Sequence, residues 1–187
     1  MNIAIHFNGC AKVKNDSIWI RGQFGYFVDE IAKKVNSIDL LLDDLPNYSS
    51  DNMEFKTDYC LKSNNVNHIS LGCSGGGITT FVGRLRGIKN ALKNTDYDFV
   101  IMREPSRRSP YIRYFLSGTP IVFLFGGDWV NQLESPGLSM AKIRATLYTK
   151  SLKKAIKSSL VFVNNEELLN KWERFAPDIF LTRTSSF

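Results

Sequence analysis

Short runs of apolar residues recur along this chain, separated by longer segments of helical periodicity, and this alternation limits the folds open to it. The runs are Ile3 to Phe7, Ile38 to Leu42, Val66 to Leu71, Phe99 to Met102, Ile121 to Phe125 and Leu160 to Val163, with Ile179 to Leu181 as a candidate seventh. Strands this apolar are buried on both faces, which is the condition inside a parallel sheet covered by crossover helices. The intervening segments supply those helices. Phe24, Phe27, Val28, Ile31 and Val35 recur at three and four residues, as do Phe81, Leu85, Ile88 and Leu92. Ser109-Pro110 reads as a helix start and Gly118 as its stop, a longer helix spans roughly 138–158, and Asn164 with Glu167 resembles a capping box. Residues 8–21 and 46–65 read as polar loop. The expected fold class is α/β: a Rossmann-like, doubly wound, mostly parallel sheet of about six or seven strands with helices on both faces. At 187 residues the chain, 1–187, is expected to form a single domain.

No stretch approaches the roughly 20 apolar residues of a membrane span, and no basic segment precedes an apolar one at Met1 to His6. A cytoplasmic protein is therefore expected. Cys10, Cys60 and Cys73 lack metal-ligand spacing, so no zinc site and no disulfide framework are expected. The net charge of +6 is unevenly placed. Residues 1–83 carry 7 basic and 9 acidic side chains (−2), residues 84–157 carry 14 and 5 (+9), and residues 158–187 carry 3 and 4 (−1). The middle of the chain thus suits an anionic partner: a small ligand's phosphates, an anionic membrane surface or, third, nucleic acid, for which no recognised binding motif accompanies the charge.

In an open parallel sheet ligands bind beyond the carboxyl ends of the strands, and this ranks the motifs. Gly22, Gln23, Phe24 and Gly25 open the first helix, where free N–H groups and the helix dipole can hold a phosphate; glycines there are as often structural. Gly72 to Gly77 reads first as a mobile turn. Arg103, Glu104, Arg107 and Arg108 follow the fourth strand and can bind a phosphate or charged sugar, or form a solvated basic loop in which Glu104 merely pairs with the arginines. Asp128 follows the apolar fifth strand and two glycines, where a carboxylate can take a proton from an acceptor hydroxyl or cap a turn. Trp129 can stack on a sugar face or pack. Lys150, Lys153, Lys154 and Lys157 share one side of the helix at 138–158, with Met140, Ile143, Leu147, Leu152 and Ile156 on another. Such a basic amphipathic helix suits an anionic lipid surface and equally an ordinary packed helix with a solvated face. Asp96-Tyr97-Asp98 precedes its strand and so lies at the wrong edge for a metal-bound donor, Asp43-Asp44 lacks further ligands, and His6 and His68 lie within strands.

With these residues in place the chain resembles the N-terminal, acceptor-binding domain of a GT-B glycosyltransferase of the retaining group, family 4-like, that builds bacterial polysaccharides and glycolipids. The likeness runs through Gly22 to Ala32, Tyr97 to Ile101, Gly118 to Val122 and on to Asp128, and Ser158 to Asn164. The resemblance implies a hexosyltransferase-type enzyme that passes a sugar from a nucleotide-sugar donor to a saccharide or lipid-linked acceptor, with no metal or other cofactor. It places Gly22 to Gly25 near the donor phosphates and Asp128 beside the reacting carbon; Arg103, Glu104, Arg107, Arg108 and Trp129, read from their residue types at the strand ends, are expected at the acceptor. It also implies a C-terminal donor domain outside this chain, without which the chain is expected to be inactive; the lysine-bearing helix adds the expectation of a place on the inner face of the membrane. Many members carry a histidine in or next to the turn after the fifth strand; here Gly126-Gly127 precede Asp128. The alternative is a self-contained nucleotide- or phosphate-binding regulatory domain without catalysis.

Overall fold

The computed structural model describes residues 1–45, 57–73, 78–93, 95–106, 108–127 and 140–182. Its elements follow in the order β1 (Asn2–His6), β2 (Cys10–Lys14), β3 (Ser17–Ile20), α1 (Gly22–Ala32), β4 (Ser37–Asp44), β5 (Tyr59–Cys60), β6 (Val66–Cys73), α2 (Ile78–Leu92), β7 (Phe99–Glu104), α3 (Ser109–Phe115), β8 (Ile121–Phe125), α4 (Met140–Ala155), β9 (Leu160–Val163), α5 (Glu166–Trp172) and β10 (Ile179–Leu181). Through a short parallel pairing of Cys10 and Ala11 with Asp43 and Asp44 at the end of β4, β2 joins a parallel array of seven strands in the order β6-β4-β1-β7-β8-β9-β10. These are the seven apolar runs of the sequence. The chain first winds outward through β4 and β6, then returns to the other side of β1 through β7, so the winding reverses between β1 and β7. The crevice beyond the carboxyl ends of these two strands is the switch point of the fold.

Alternation along the strands sends side chains into two cores. Ile3, Ile5, Phe7, Leu40, Leu42 and Ile101 face α1, whose Val28 and Ala32 close that side. Ala4, Leu41, Val100, Met102, Phe123, Val161 and Val163 face the opposite side, where Ile88 and Leu92 of α2, Ile112 of α3, Leu152 of α4 and Leu168 and Trp172 of α5 pack. Helices therefore cover both faces, unequally. Among the described residues, four helices sit on one side and α1 on the other.

Three strands exceed the expected count. Residues 8–21, expected as loop, form the β2–β3 hairpin, with Asn15 and Asp16 at φ 49 and 57 in its turn. Both central residues at positive φ give the hand of turn that matches strand twist. The polar segment before Val66 contains β5, which extends this ribbon by pairing with β3. The ribbon returns the chain to the carboxyl edge, where α1 begins. Tyr59 of β5 then locks α1 in place: its hydroxyl donates to Asp29 Oδ2 at 2.8 Å, and the Lys62 and Ser63 N–H groups donate to the same carboxylate at 3.1–3.2 Å. The Tyr59 ring lies so close to α1 that a Cβ on Gly25 would sit 2.1 Å from Tyr59 Cδ1.

The helix caps are shifted from their expected places. Ser109 does not cap α3, because its hydroxyl donates to Glu104; Arg108 stands at the cap and Pro110 in the first turn. Asn165, not Asn164, caps α5 by accepting the Leu168 N–H at 2.8 Å. The two faces of α4 also differ from the expected division. Leu152 and Ile156 are buried beside half-buried Tyr148, but Ile143 and Leu147 turn outward with Lys150 and Lys154.

Gly25 yields a prediction of unusual sign. A helical Gly→Ala change ordinarily stabilises by up to about 1 kcal/mol, whereas Gly25→Ala is expected to destabilise by roughly 1–3 kcal/mol through overpacking against Tyr59. Urea unfolding of Gly25→Ala, Tyr59→Ser and the double variant checks this: in the Tyr59→Ser background the alanine is expected to stabilise.

Candidate functional site

The switch point is floored by a buried polar chain. His6 ends β1, is 2 % exposed, and its Nδ1 lies 2.7 Å from the Leu41 carbonyl. A carbonyl only accepts, so Nδ1 carries the proton and Nε2 accepts the Ser106 hydroxyl at 2.6 Å. Ser106 Oγ in turn accepts the Arg108 N–H at 3.2 Å. Glu104, the last residue of β7, is 1 % exposed and accepts from the Ser106 N–H at 2.7 Å and from the Ser109 and Tyr148 hydroxyls. Burial pushes the Glu104 carboxyl above its ordinary range, while Ser109, Tyr148, the nearby Arg113 charge and the Ser106 N–H pull it down. One carboxylate thereby ties β7, α3 and α4 together beneath the crevice. Glu104 is expected at the acceptor or as a partner of the neighbouring arginines; its carboxylate is buried and bonded to Ser106, Ser109 and Tyr148.

The arginines separate in the same way. Arg108 is held by Asp43 at 2.5 Å, with both side chains mostly buried. Arg103 lies with its guanidinium carbon 4.5 Å from the centre of the Phe24 ring, and Phe24 stacks on Phe7 at 4.1 Å with an interplanar angle of 10°. Ring, ring and guanidinium thus form one stack from the end of β1 through the first turn of α1 to the end of β7. Gly126 makes room for it, since a Cβ there would approach the Arg103 guanidinium nitrogens to 2.7–2.8 Å. Burial, and secondarily the charge of Arg21, push Arg103 below its ordinary value, yet a guanidinium remains charged at any physiological pH. No carboxylate pairs with Arg103 among the described residues. The geometry leaves it as a half-buried, oriented cation at the carboxyl edge of β7.

The first turn of α1 is more occupied than its sequence suggests. The Gly22 N–H donates to Asp58 Oδ1 at 2.8 Å, and the Phe24 and Gly25 N–H groups donate to the Arg21 carbonyl at 3.0 Å. Asp58 therefore stands where a ligand phosphate is expected, and Gln23 retains the first-turn N–H without a partner among the described residues. Phe24 contributes its ring. Arg107, Asp128, Trp129 and Ser74 to Gly77 lie outside the described residues. Asp98 accepts the Asn2 N–H at 2.6 Å, which places Asp96-Tyr97-Asp98 at the opposite edge of the sheet. No cluster of three His, Cys, Asp or Glu residues suited to a metal occurs among the described residues. The stack of Phe7, Phe24 and Arg103 had no signature in the sequence beyond the glycines that follow β8.

His6 provides a test of the floor. Burial, aided by the Arg108 charge, pushes its imidazole down from 6.5 to about 4. The unfolded chain takes up the proton near 6.5 and the folded chain only near 4, so the contribution of His6 is complete above pH 6.5 and is lost as the pH falls toward 4. The linked free energy is roughly 3 kcal/mol. His6→Asn is expected to be less stable than wild type at pH 7.5, with the gap narrowing by about that amount at pH 4, as read from denaturant unfolding; the Glu104 titration is common to both proteins and cancels.

No protein-family model matches the chain, and no curated protein matches it in sequence. Among solved structures the chain is similar to a sucrose-phosphate synthase from Thermosynechococcus elongatus, with a TM-score of 0.57 at 13% sequence identity. The match covers 97% of this chain and 47% of that one, so the chain spans about half the length of its structural neighbour. The likeness is one of fold: a mostly parallel α/β sheet whose winding reverses between β1 and β7.

Proposed function

We propose that this chain is the acceptor-binding half of a glycosyltransferase that passes a sugar from a nucleotide-sugar donor to a saccharide or lipid-linked acceptor bearing an anionic group. The observation that carries the reading is Arg103: a half-buried guanidinium, without a carboxylate partner among the described residues, held flat on Phe24 at the carboxyl edge of β7. Desolvation strengthens its attraction for a phosphate or carboxylate, and its fixed plane suits two parallel hydrogen bonds. Asp128, two residues past the Gly126 that seats Arg103, is the proposed group beside the acceptor hydroxyl. The fold of the neighbouring synthase supports the reaction class, and the second, donor-holding half is a further part of the proposal.

The alternative, a domain that binds a free nucleotide and transfers nothing, depends on the first turn of α1 as its phosphate site. Asp58 already occupies the Gly22 N–H there. That favours the acceptor reading.

The test is sugar transfer by the intact gene product, using a panel of nucleotide sugars and phosphorylated or carboxylated acceptors. Arg103→Ala removes charge-assisted hydrogen bonds of about 1.5–3 kcal/mol, so the acceptor KM is expected to rise roughly 10- to 100-fold with donor KM little changed, and Arg103→Lys should recover part of the loss. Asp128→Asn is expected to lower kcat while leaving donor affinity nearly intact. Tight nucleotide binding with no transfer to any acceptor would instead support the regulatory domain.

A further inference from the structure

The outward face of α4 combines two chemistries that an ordinary solvated helix keeps apart. Ile143 is 49% and Leu147 62% exposed, and Lys150, Lys154 and Lys157 are exposed as well. Their spacing of four, three, four and three residues sets all five on one stripe, the last of them in the 3-10 turn Ile156–Ser158 that continues the helix. The other side of α4 is the one that packs, through Tyr148, Leu152, Ala155 and Ile156. Lys153 departs from the expected lysine face: it is half-buried, with its ammonium 4.3 Å from the centre of the Phe175 ring.

The helix also has a polarity along its length. As the crossover between β8 and β9, α4 starts at the carboxyl edge of the sheet and runs toward the other edge. Tyr148, next to Leu147, reaches Glu104 at the end of β7. The apolar end of the stripe therefore lies toward the ligand edge and the lysines lie away from it. Two branched aliphatic side chains standing clear of a helix, followed by three lysines, suit a surface that offers hydrocarbon at one depth and negative charge at another.

We propose that this stripe docks the protein on an anionic lipid surface, with Ile143 and Leu147 entering the boundary of the acyl chains and Lys150, Lys154 and Lys157 resting among anionic headgroups. Docking this way brings the ligand edge to the membrane, which would admit a lipid-linked acceptor to the crevice. The binding surface itself does not require that reading of the crevice. Nucleic acid would use the lysines but leave the aliphatic pair without a role, and a second copy of the chain would bring its own lysines against these.

The test is sedimentation of the intact gene product with vesicles of phosphatidylcholine alone and of phosphatidylcholine with about one third phosphatidylglycerol, whose charge supplies the negative surface potential. Binding is expected only to the anionic vesicles and to weaken in high salt. Lys150, Lys154 and Lys157 changed to Gln should each weaken partitioning about fivefold, and Ile143→Ser with Leu147→Ser should weaken it at least tenfold while leaving urea unfolding and transfer to a soluble acceptor unchanged. Lys33→Gln with Lys34→Gln, on α1 and its end, is the charge-matched control and should bind as wild type. Binding that falls with the lysines but not with Ile143 and Leu147, equal sedimentation of all variants, or retention by a DNA or RNA oligonucleotide in place of anionic vesicles would each overturn the proposal. Loss of membrane binding with soluble transfer intact, or the reverse, separates this surface from the crevice.

Discussion

The hydrogen bond between His6 and Ser106 ties the end of β1 to the turn after β7, across the point where the winding of the sheet reverses, and the carboxyl edge is built on it. A neutral imidazole is favoured there, because burial strips the solvation a charged ring would need and the Arg108 charge opposes a second positive group. Once His6 is fixed between Leu41 and Ser106, the turn after β7 is fixed, and Glu104 can gather Ser106, Ser109 and Tyr148 around one carboxylate. That carboxylate anchors α3 and α4 to the end of β7. A half-satisfied network of this kind would be worse than an apolar filling, so its completeness argues that the turn geometry it enforces matters.

That geometry aims Arg103 away from the buried acids and along the top of the sheet. Asp43 holds Arg108, Glu104 lies beneath the surface, and Gly126 supplies the missing side-chain volume over which the guanidinium lies. Two arginines five residues apart thus differ: Arg108 is paired with Asp43, and Arg103 lies on Phe24. The ribbon of β2, β3 and β5 serves the same edge from the other side. It seats α1 through Tyr59 and Asp29, and so sets the position of the Phe24 ring on which Arg103 rests.

The parallel strands were legible because burial on both faces leaves a continuous apolar signature, and all seven runs became strands in the order that right-handed crossovers allow. The ribbon was not legible as strand, since Lys12 and Lys14 alternate with a single exposed Val13 and the positive φ of Asn15 and Asp16 is a backbone property of a turn that many polar pairs do not adopt. Sequence spacing also split α4 wrongly, because a helix with three apolar residues at its amino half and lysines at its carboxyl half carries two overlapping periodicities and only the neighbours decide which is buried. At the carboxyl edge, residue types drew attention to particular loops but did not identify partners. Nothing in Arg103 to Arg108 says which arginine meets Asp43, and nothing near Gly22 says that Asp58, 36 residues away, meets its N–H.

The central claim is that the crevice beyond β1 and β7 receives an anionic acceptor on Arg103. A crystal structure of the intact gene product with a phosphorylated sugar and a nucleoside diphosphate tests it most directly. The account predicts the sugar phosphate on the Arg103 guanidinium beside Phe24 and Gly126, with the Glu104 network unchanged beneath it. A phosphate bound away from Arg103, with that side chain still resting unliganded on Phe24, would contradict it.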